Sequence, residues 1–279
     1  MFRILISLFT FSILSSAVSY AQDQTIIYKK VDTVSLSMNI YYPDDEELFG
    51  ALPAMVFFFG GGWKGGDIKQ FDPQALYFSK RGIVCIVADY RVSSRHGTTP
   101  FESLKDAKSA IRYVRSHAGE LRIDPDKIIA AGGSAGGHLA AATALTPGYN
   151  ENGEDTSISC EPDALVLFNP VIDNGPAGYG YERIGEEYRD FSPLHNIREG
   201  APPTIIFLGT EDHLIPIETA KYYKTAMERV GSRCDLFLFG GQKHGFFNYK
   251  NREFYISTVR KMDVFLNSLG YIEGEPEID

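Results

Sequence analysis

Cysteine is scarce: Cys85, Cys160 and Cys234 are the only three in 279 residues. An odd, widely spaced set is not the framework of a disulfide-built domain, which uses paired cysteines to make up for a small core. Cys85 lies in the apolar run Gly82 to Ala88 and reads as a buried thiol. A bridge between Cys160 and Cys234 stays open, because spacing does not fix its geometry. Basic clusters are missing too. The net charge is −9 and Lys and Arg form no block, so the footprint that neutralises phosphate backbones is absent and no nucleic acid partner is expected. No His pair stands at a metal-ligand spacing, so no metal is expected. What is present is apolar: 44% of the residues are hydrophobic, enough for one substantial core.

A long apolar run occurs at the start. Met1-Phe2-Arg3 gives a short positive region, Ile4 to Val18 an apolar stretch, and Ser19-Tyr20-Ala21 the small residues that a signal peptidase cuts after. The expectation is a signal peptide over residues 1–21, a catalytic-size domain over 22–279, and a secreted or periplasmic mature chain with no stable membrane insertion. The alternative, an uncleaved anchor, would rest on a stretch of marginal length. Nothing in the pattern specifies an oligomeric state.

Two runs rich in Val, Ile and Tyr, Thr25 to Val31 and Val34 to Tyr42, predict an antiparallel hairpin. Short apolar runs then recur at Leu52 to Phe59, Ile83 to Ala88, Ile128 to Ala131, Ala164 to Phe168, Thr204 to Leu208 and Leu236 to Phe239. Such runs mark strands buried on both faces of a parallel sheet. Between them, Phe101, Leu104, Ala107, Ile111 and Val114 recur at spacings of three and four, one apolar helical stripe. Pro216 fits a helix start and Gly231 its stop, and a last helix runs roughly from Glu253 to Leu269. The alternation predicts an α/β fold, a three-layer α/β/α sandwich around a mostly parallel sheet. Residues 146–159 and 173–203, rich in Gly, Pro, Asn and Tyr, interrupt it and read as lid-like or binding loops.

The apolar strand Ile128 to Ala131 runs into Gly132-Gly133-Ser134-Ala135-Gly136-Gly137, and a helix-forming stretch follows. A Gly-x-Ser-x-Gly turn in that context is a nucleophile elbow, whose glycines leave room for neighbouring strand and helix. Serine needs a base, and His244 follows the strand ending at Phe239, where such a base belongs. The imidazole needs a carboxylate. Asp212, in the loop after Thr204 to Leu208, is the candidate, and its neighbour Glu211 stays open as the alternative. The order Ser134, Asp212, His244 is the one this elbow fold uses. Gly60 and Gly61, just past the strand Leu52 to Phe59, and the amide of Ala135 are candidate oxyanion donors. Trp63, Tyr179 and Tyr181 are candidate substrate contacts, since aromatic faces suit stacking on sugars. Asp89 and Arg91 read as structural, and Asp106 as a helix-start charge.

Taken together, Gly60-Gly61-Gly62-Trp63, Asp89-Tyr90-Arg91, the Ser134 elbow, Gly209-Thr210-Glu211-Asp212 and His244-Gly245-Phe246 resemble the hormone-sensitive-lipase-like esterases. Within them the chain is most similar to bacterial secreted carbohydrate esterases of the acetylxylan and feruloyl esterase type. The resemblance spans roughly Leu36 to Leu269 and implies an eight-stranded α/β-hydrolase sheet, no cofactor, and a covalent acyl-enzyme resolved by water. One position departs: Phe59 stands where the family usually has His, a residue thought to steady the glycine loop.

The expected function is a carboxylesterase acting on short acyl esters, acetyl or feruloyl, of a small-molecule or oligosaccharide or polysaccharide substrate. Two alternatives differ in chemistry. An exopeptidase or arylformamidase would use the same triad on an amide, and a non-catalytic binding module would use the scaffold alone.

Overall fold

The computed structural model describes residues 23–44 and 50–278; the signal peptide expected over residues 1–21 lies outside the described residues. Eight strands, β1 (Gln24–Val31), β2 (Val34–Tyr41), β3 (Leu52–Phe58), β4 (Val84–Ala88), β5 (Ile123–Gly133), β6 (Ala164–Phe168), β7 (Thr204–Gly209) and β8 (Cys234–Phe239), form one sheet in the order β1-β2-β4-β3-β5-β6-β7-β8. β1 pairs with β2, and β2 with β4, antiparallel; every later pairing is parallel. This is the α/β-hydrolase arrangement, with the expected N-terminal hairpin at one edge.

Alternation along the strands divides their side chains between two buried layers. Ala54, Val56 and Phe58 of β3 join one cluster and Met55 and Phe57 the other, and Ile128 and Ala130 of β5 part from Ile129 and Ala131 in the same way. Helices α1 (Asp72–Lys80) and α5 (Arg252–Ser268) cover the Met55 face. Helices α2 (Pro100–Ser116), α3 (Ala135–Leu145) and α4 (Ile217–Arg229) cover the other. α2 begins where Thr99 and Glu102 form a capping box with Pro100 in the first turn, an arrangement worth about 1 kcal/mol. α4 begins after Pro216, and Gly231 follows its end with φ 78°.

Strand boundaries differ from expectation where strands lack continuous apolar runs. β5 begins at Ile123, which pairs with Leu52, while Asp124, Pro125, Asp126 and Lys127 fall in the register shift before Ile128 and are not buried. β8, an edge strand with Asp235, Leu236 and Phe237 half-buried, begins two residues before the apolar run, at the buried Cys234. Cys160 and Cys234 are both buried and free, so no bridge joins them.

Asp106 is not a helix-start charge. It is fully buried, held by Lys29 at 2.7 Å and by Arg91 at 2.8 Å. Glu151 meets the same two cations at 2.9 and 2.6 Å, and Arg112 reaches Glu154 and Asn150. The stretch 146–159 is thereby tied to the core through its polar side chains.

Candidate active site

Parallel pairing brings the carboxyl ends of β3, β5, β6, β7 and β8 to one rim, with Phe58 beside Gly132, Gly133 beside Phe168, and Gly209 beside Phe239. The chain leaves each strand there, and the side chains after the strand ends converge.

Ser134 sits between β5 and α3 with φ 55° and ψ −119°, a conformation that costs a non-glycine residue about 1–3 kcal/mol. Its neighbours hold it: the Ser134 amide donates to the Phe168 carbonyl at 2.9 Å, and its own carbonyl accepts from Val171 at 3.1 Å and His138 at 3.0 Å. A Cβ at Gly132 would run into the Gly136 carbonyl, and one at Gly136 into the carbonyls of Phe58 and Phe59. Both positions therefore require glycine for space, as the elbow predicts.

His244 Nε2 lies 2.8 Å from Ser134 Oγ, and His244 Nδ1 lies 2.7 Å from Asp212 Oδ2. Oδ1 of Asp212 accepts from the amides of Leu214 at 2.8 Å and Ile215 at 3.0 Å. Burial pushes the Asp212 carboxyl up, but the His244 hydrogen bond and charge and these two amides outweigh it, leaving the group below its ordinary range. Glu211 points to solvent, its amide bonded to the Gln242 carbonyl. Asp212, not Glu211, meets the imidazole.

The glycine loop beside Ser134 is only partly as expected. The amide of Gly60 already donates to Oε1 of Gln70 at 2.6 Å, and one N–H serves one acceptor well. Gly60 is therefore not an oxyanion donor. Among the described residues, no acceptor is bonded to the amides of Gly61 and Ala135, and Gly61 is exposed in the cleft that Ser134 opens into. Phe59, at the position where the resembling family has His, stacks on Tyr90, centroids 4.1 Å apart, and the Tyr90 hydroxyl donates to the Phe59 carbonyl at 2.7 Å.

Two expected substrate contacts are not at the cleft. Trp63 is 1% exposed, packed against His138, Tyr179 and Phe191 with Arg183 over its ring; it supports the loop from beneath. Tyr181 turns away to donate to Glu186 at 2.6 Å and meets Tyr188 edge-on. Tyr179 does line the cleft, its hydroxyl against Gly62, with Arg183 over its ring and donating to the Gly62 carbonyl. The stretch 146–159 contributes no lining residue. His138 is buried, and burial holds its imidazole down at about 3, so it packs as a neutral ring.

Three carboxamides at the site belong to none of the sequence motifs. Asn169 accepts from the Gly245 amide at 2.9 Å with its Nδ2 3.4 Å from His244 Nε2, and Gln70 and Asn248 complete the wall of a cleft of about 330 Å³. Asn169 directly follows β6, and that strand-end position was the one signal available. Among the described residues, no cluster of three or more His, Cys, Asp and Glu is placed to hold a metal, and no helix is long and apolar enough to cross a membrane.

An α/β-hydrolase sheet presenting a serine, a histidine and a carboxylate in hydrogen-bonded sequence is the architecture of the serine hydrolases, a class that includes ester and amide hydrolases. The BD-FAE family model matches residues 38–177 and the dienelactone hydrolase family model residues 175–266. The solved apo structure of esterase 2 from Thermogutta terrifontis is similar at 46% identity, TM-score 0.86, covering 90% of this chain and 96% of that one. Esterase LipC of Mycobacterium tuberculosis is 29% identical over 70% of this chain and 53% of its own length. An acetylxylan esterase of Xylanibacter ruminicola is 28% identical over 61% and 36%. The chain belongs to the BD-FAE family, within the α/β-hydrolase esterases. It spans about half the length of the first curated relatives it matches.

Proposed function

We propose that this chain is an exported serine carboxylesterase that removes short acyl groups, acetyl foremost, from carbohydrate esters. The observation that carries the proposal is the relay Asp212, His244, Ser134, with contacts of 2.7 and 2.8 Å, beside the uncommitted amides of Gly61 and Ala135.

In this reading His244 Nε2 takes the Ser134 hydroxyl proton as Oγ attacks the ester carbonyl. The amides of Gly61 and Ala135 stabilise the oxyanion, each donor being worth roughly 2.7–4 kcal/mol of barrier. The imidazolium, steadied by Asp212, then protonates the departing alcohol, and the C–O bond to it breaks. Water, deprotonated by His244, attacks the acyl-serine; Ser134 recovers its proton and the acid leaves.

The cleft supports a short acyl group, because about 330 Å³ is at the low end for ligand pockets. Propionate- and butyrate-bound structures of the Thermogutta esterase point the same way. Tyr179 and the half-exposed Leu214 at the cleft give an apolar face for a sugar ring, and the acetylxylan esterase relative supports that class of alcohol. Export is supported by the pattern of residues 1–21, and the secreted protein should begin near Gln22 by N-terminal sequencing.

The test is a substrate panel with the purified protein: aryl acetate, butyrate and long-chain esters, acetylated and feruloylated xylan, aminoacyl anilides and formamides. Acetate and butyrate esters and acetylated xylan should be cleaved best. Ser134→Ala should lose roughly 10⁶-fold in kcat and no longer be labelled by a fluorophosphonate. Retained turnover in that variant, or faster cleavage of amides than of esters, overturns the proposal.

A further inference from the structure

We infer that Gln70 is a positioning residue, which through Asn248 holds the oxyanion loop and the histidine loop in one register. The inference rests on the catalytic roles proposed above for Ser134, His244 and the Gly61 amide.

The chain of contacts is continuous. The Gly60 amide donates to Gln70 Oε1 at 2.6 Å, Gln70 Nε2 donates to Asn248 Oδ1 at 2.9 Å, and Asn248 Nδ2 donates to the Gly245 carbonyl at 2.7 Å. The Gly245 amide then donates to Asn169 Oδ1 at 2.9 Å, and Asn169 Nδ2 stands 3.4 Å from His244 Nε2. Each carboxamide faces a donor with its oxygen and an acceptor with its nitrogen, so flipping any one sets like against like. The link thus joins loops 178 residues apart in sequence.

The oxyanion loop needs such a link. Gly61 has φ 142° and Gly62 φ 63°, and glycine costs most to order. The Gly61 amide shares its peptide plane with the Gly60 carbonyl, so pinning the Gly60 amide fixes the residue that aims it. A donor has to hold within about 0.5 Å and 10–20° to act on the transition state. Gln70 is itself firmly mounted. Its short helix Ile68–Phe71 is capped by Asp67, and Phe71 stacks on Phe57 and Phe247 at 5.3 and 5.6 Å.

The experiment compares Gln70→Ala, Asn248→Ala and the double variant in the full chain. Steady-state hydrolysis of p-nitrophenyl acetate is read per fluorophosphonate-titrated site, beside the thermal midpoint. Each single variant should lose roughly ten- to a hundredfold in kcat with KM within about twofold, as misplacement of a catalytic group does. The double variant should be no slower than the slower single one, because both cut the same chain. If Gln70→Ala does not fold, Gln70→Met, of similar length without donor or strong acceptor, takes its place. Unchanged kcat per titrated site, losses that multiply in the double variant, or a rise in KM alone overturns the inference. A wild-type protein inert towards aryl acetates would instead sink the proposed function, so the two failures are distinct.

Discussion

Replacing Asp212 by Asn tests the relay without disturbing its shape. Oδ1 of Asp212 accepts two amides, from Leu214 at 2.8 Å and Ile215 at 3.0 Å. An asparagine must therefore keep its carbonyl oxygen there, since its NH₂ would otherwise face two donors. The NH₂ then points at His244 Nδ1, where the carboxylate oxygen stood at 2.7 Å. To accept that hydrogen bond the imidazole gives up its Nδ1 proton and carries one on Nε2. Nε2 then donates to Ser134 Oγ across the 2.8 Å contact and cannot take the hydroxyl proton. The wrong tautomer should lower kcat about 10⁴-fold, or about 5.4 kcal/mol of barrier. The assay is hydrolysis of p-nitrophenyl acetate at saturation, with KM within about threefold and circular dichroism unchanged. Glu211→Gln is the control and should keep wild-type turnover. A loss of less than about tenfold in Asp212→Asn would refute the tautomer argument.

Asp106→Ala should destabilise by about 3–5 kcal/mol, measured by urea unfolding, because Lys29 and Arg91 lose a fully buried partner; a cost below about 1 kcal/mol contradicts this. Trp63→Phe should leave KM for esters within about twofold, since the indole is buried and its nitrogen unbonded. Tyr179→Ala should raise KM on acetylated oligosaccharide about three- to tenfold, the worth of one aromatic contact of about 0.5–1.5 kcal/mol; the reverse ranking would return Trp63 to the substrate site. Burial pushes the Asp72 carboxyl up to about 6, so its charged form disfavours the folded state. That contribution to stability is full below the unfolded pKa of about 4 and is lost as pH rises to about 6. Asp72→Asn should accordingly raise the thermal midpoint by about 2 °C or more at pH 8 and confer no such gain at pH 4, as scanning calorimetry at both pH values would show.

Much of the fold is legible because the relevant patterns are short. The run Ala164 to Phe168 is the whole of β6, since a strand buried on both faces must be apolar throughout. The half-exposed edge strand β8 is legible only in part, because Asp235 separates the buried Cys234 from the apolar run that follows. Phe101 to Val114 place α2 by spacing, yet Asp106, on the same helix, reads as a helix-start charge until Lys29 and Arg91 arrive from elsewhere in the chain. Trp63 misleads for a similar reason. Being next to the glycine loop places it near the cleft, and only the packing of His138 and Phe191 shows that its ring points inward.

The amino-acid sequence by itself determined the strand, tight turn and helix around Ser134, the hairpin and the alternation behind the sheet, because each depends on steric demands within a few neighbouring residues. Tertiary structure alone decided which carboxylate reaches His244, 32 residues away, and that the Gly60 amide is committed to Gln70. It also set the carboxamide chain from Gln70 to Asn248, across 178 residues. Those outcomes follow from distances and hydrogen-bond competition between segments remote in the chain, which no local pattern encodes.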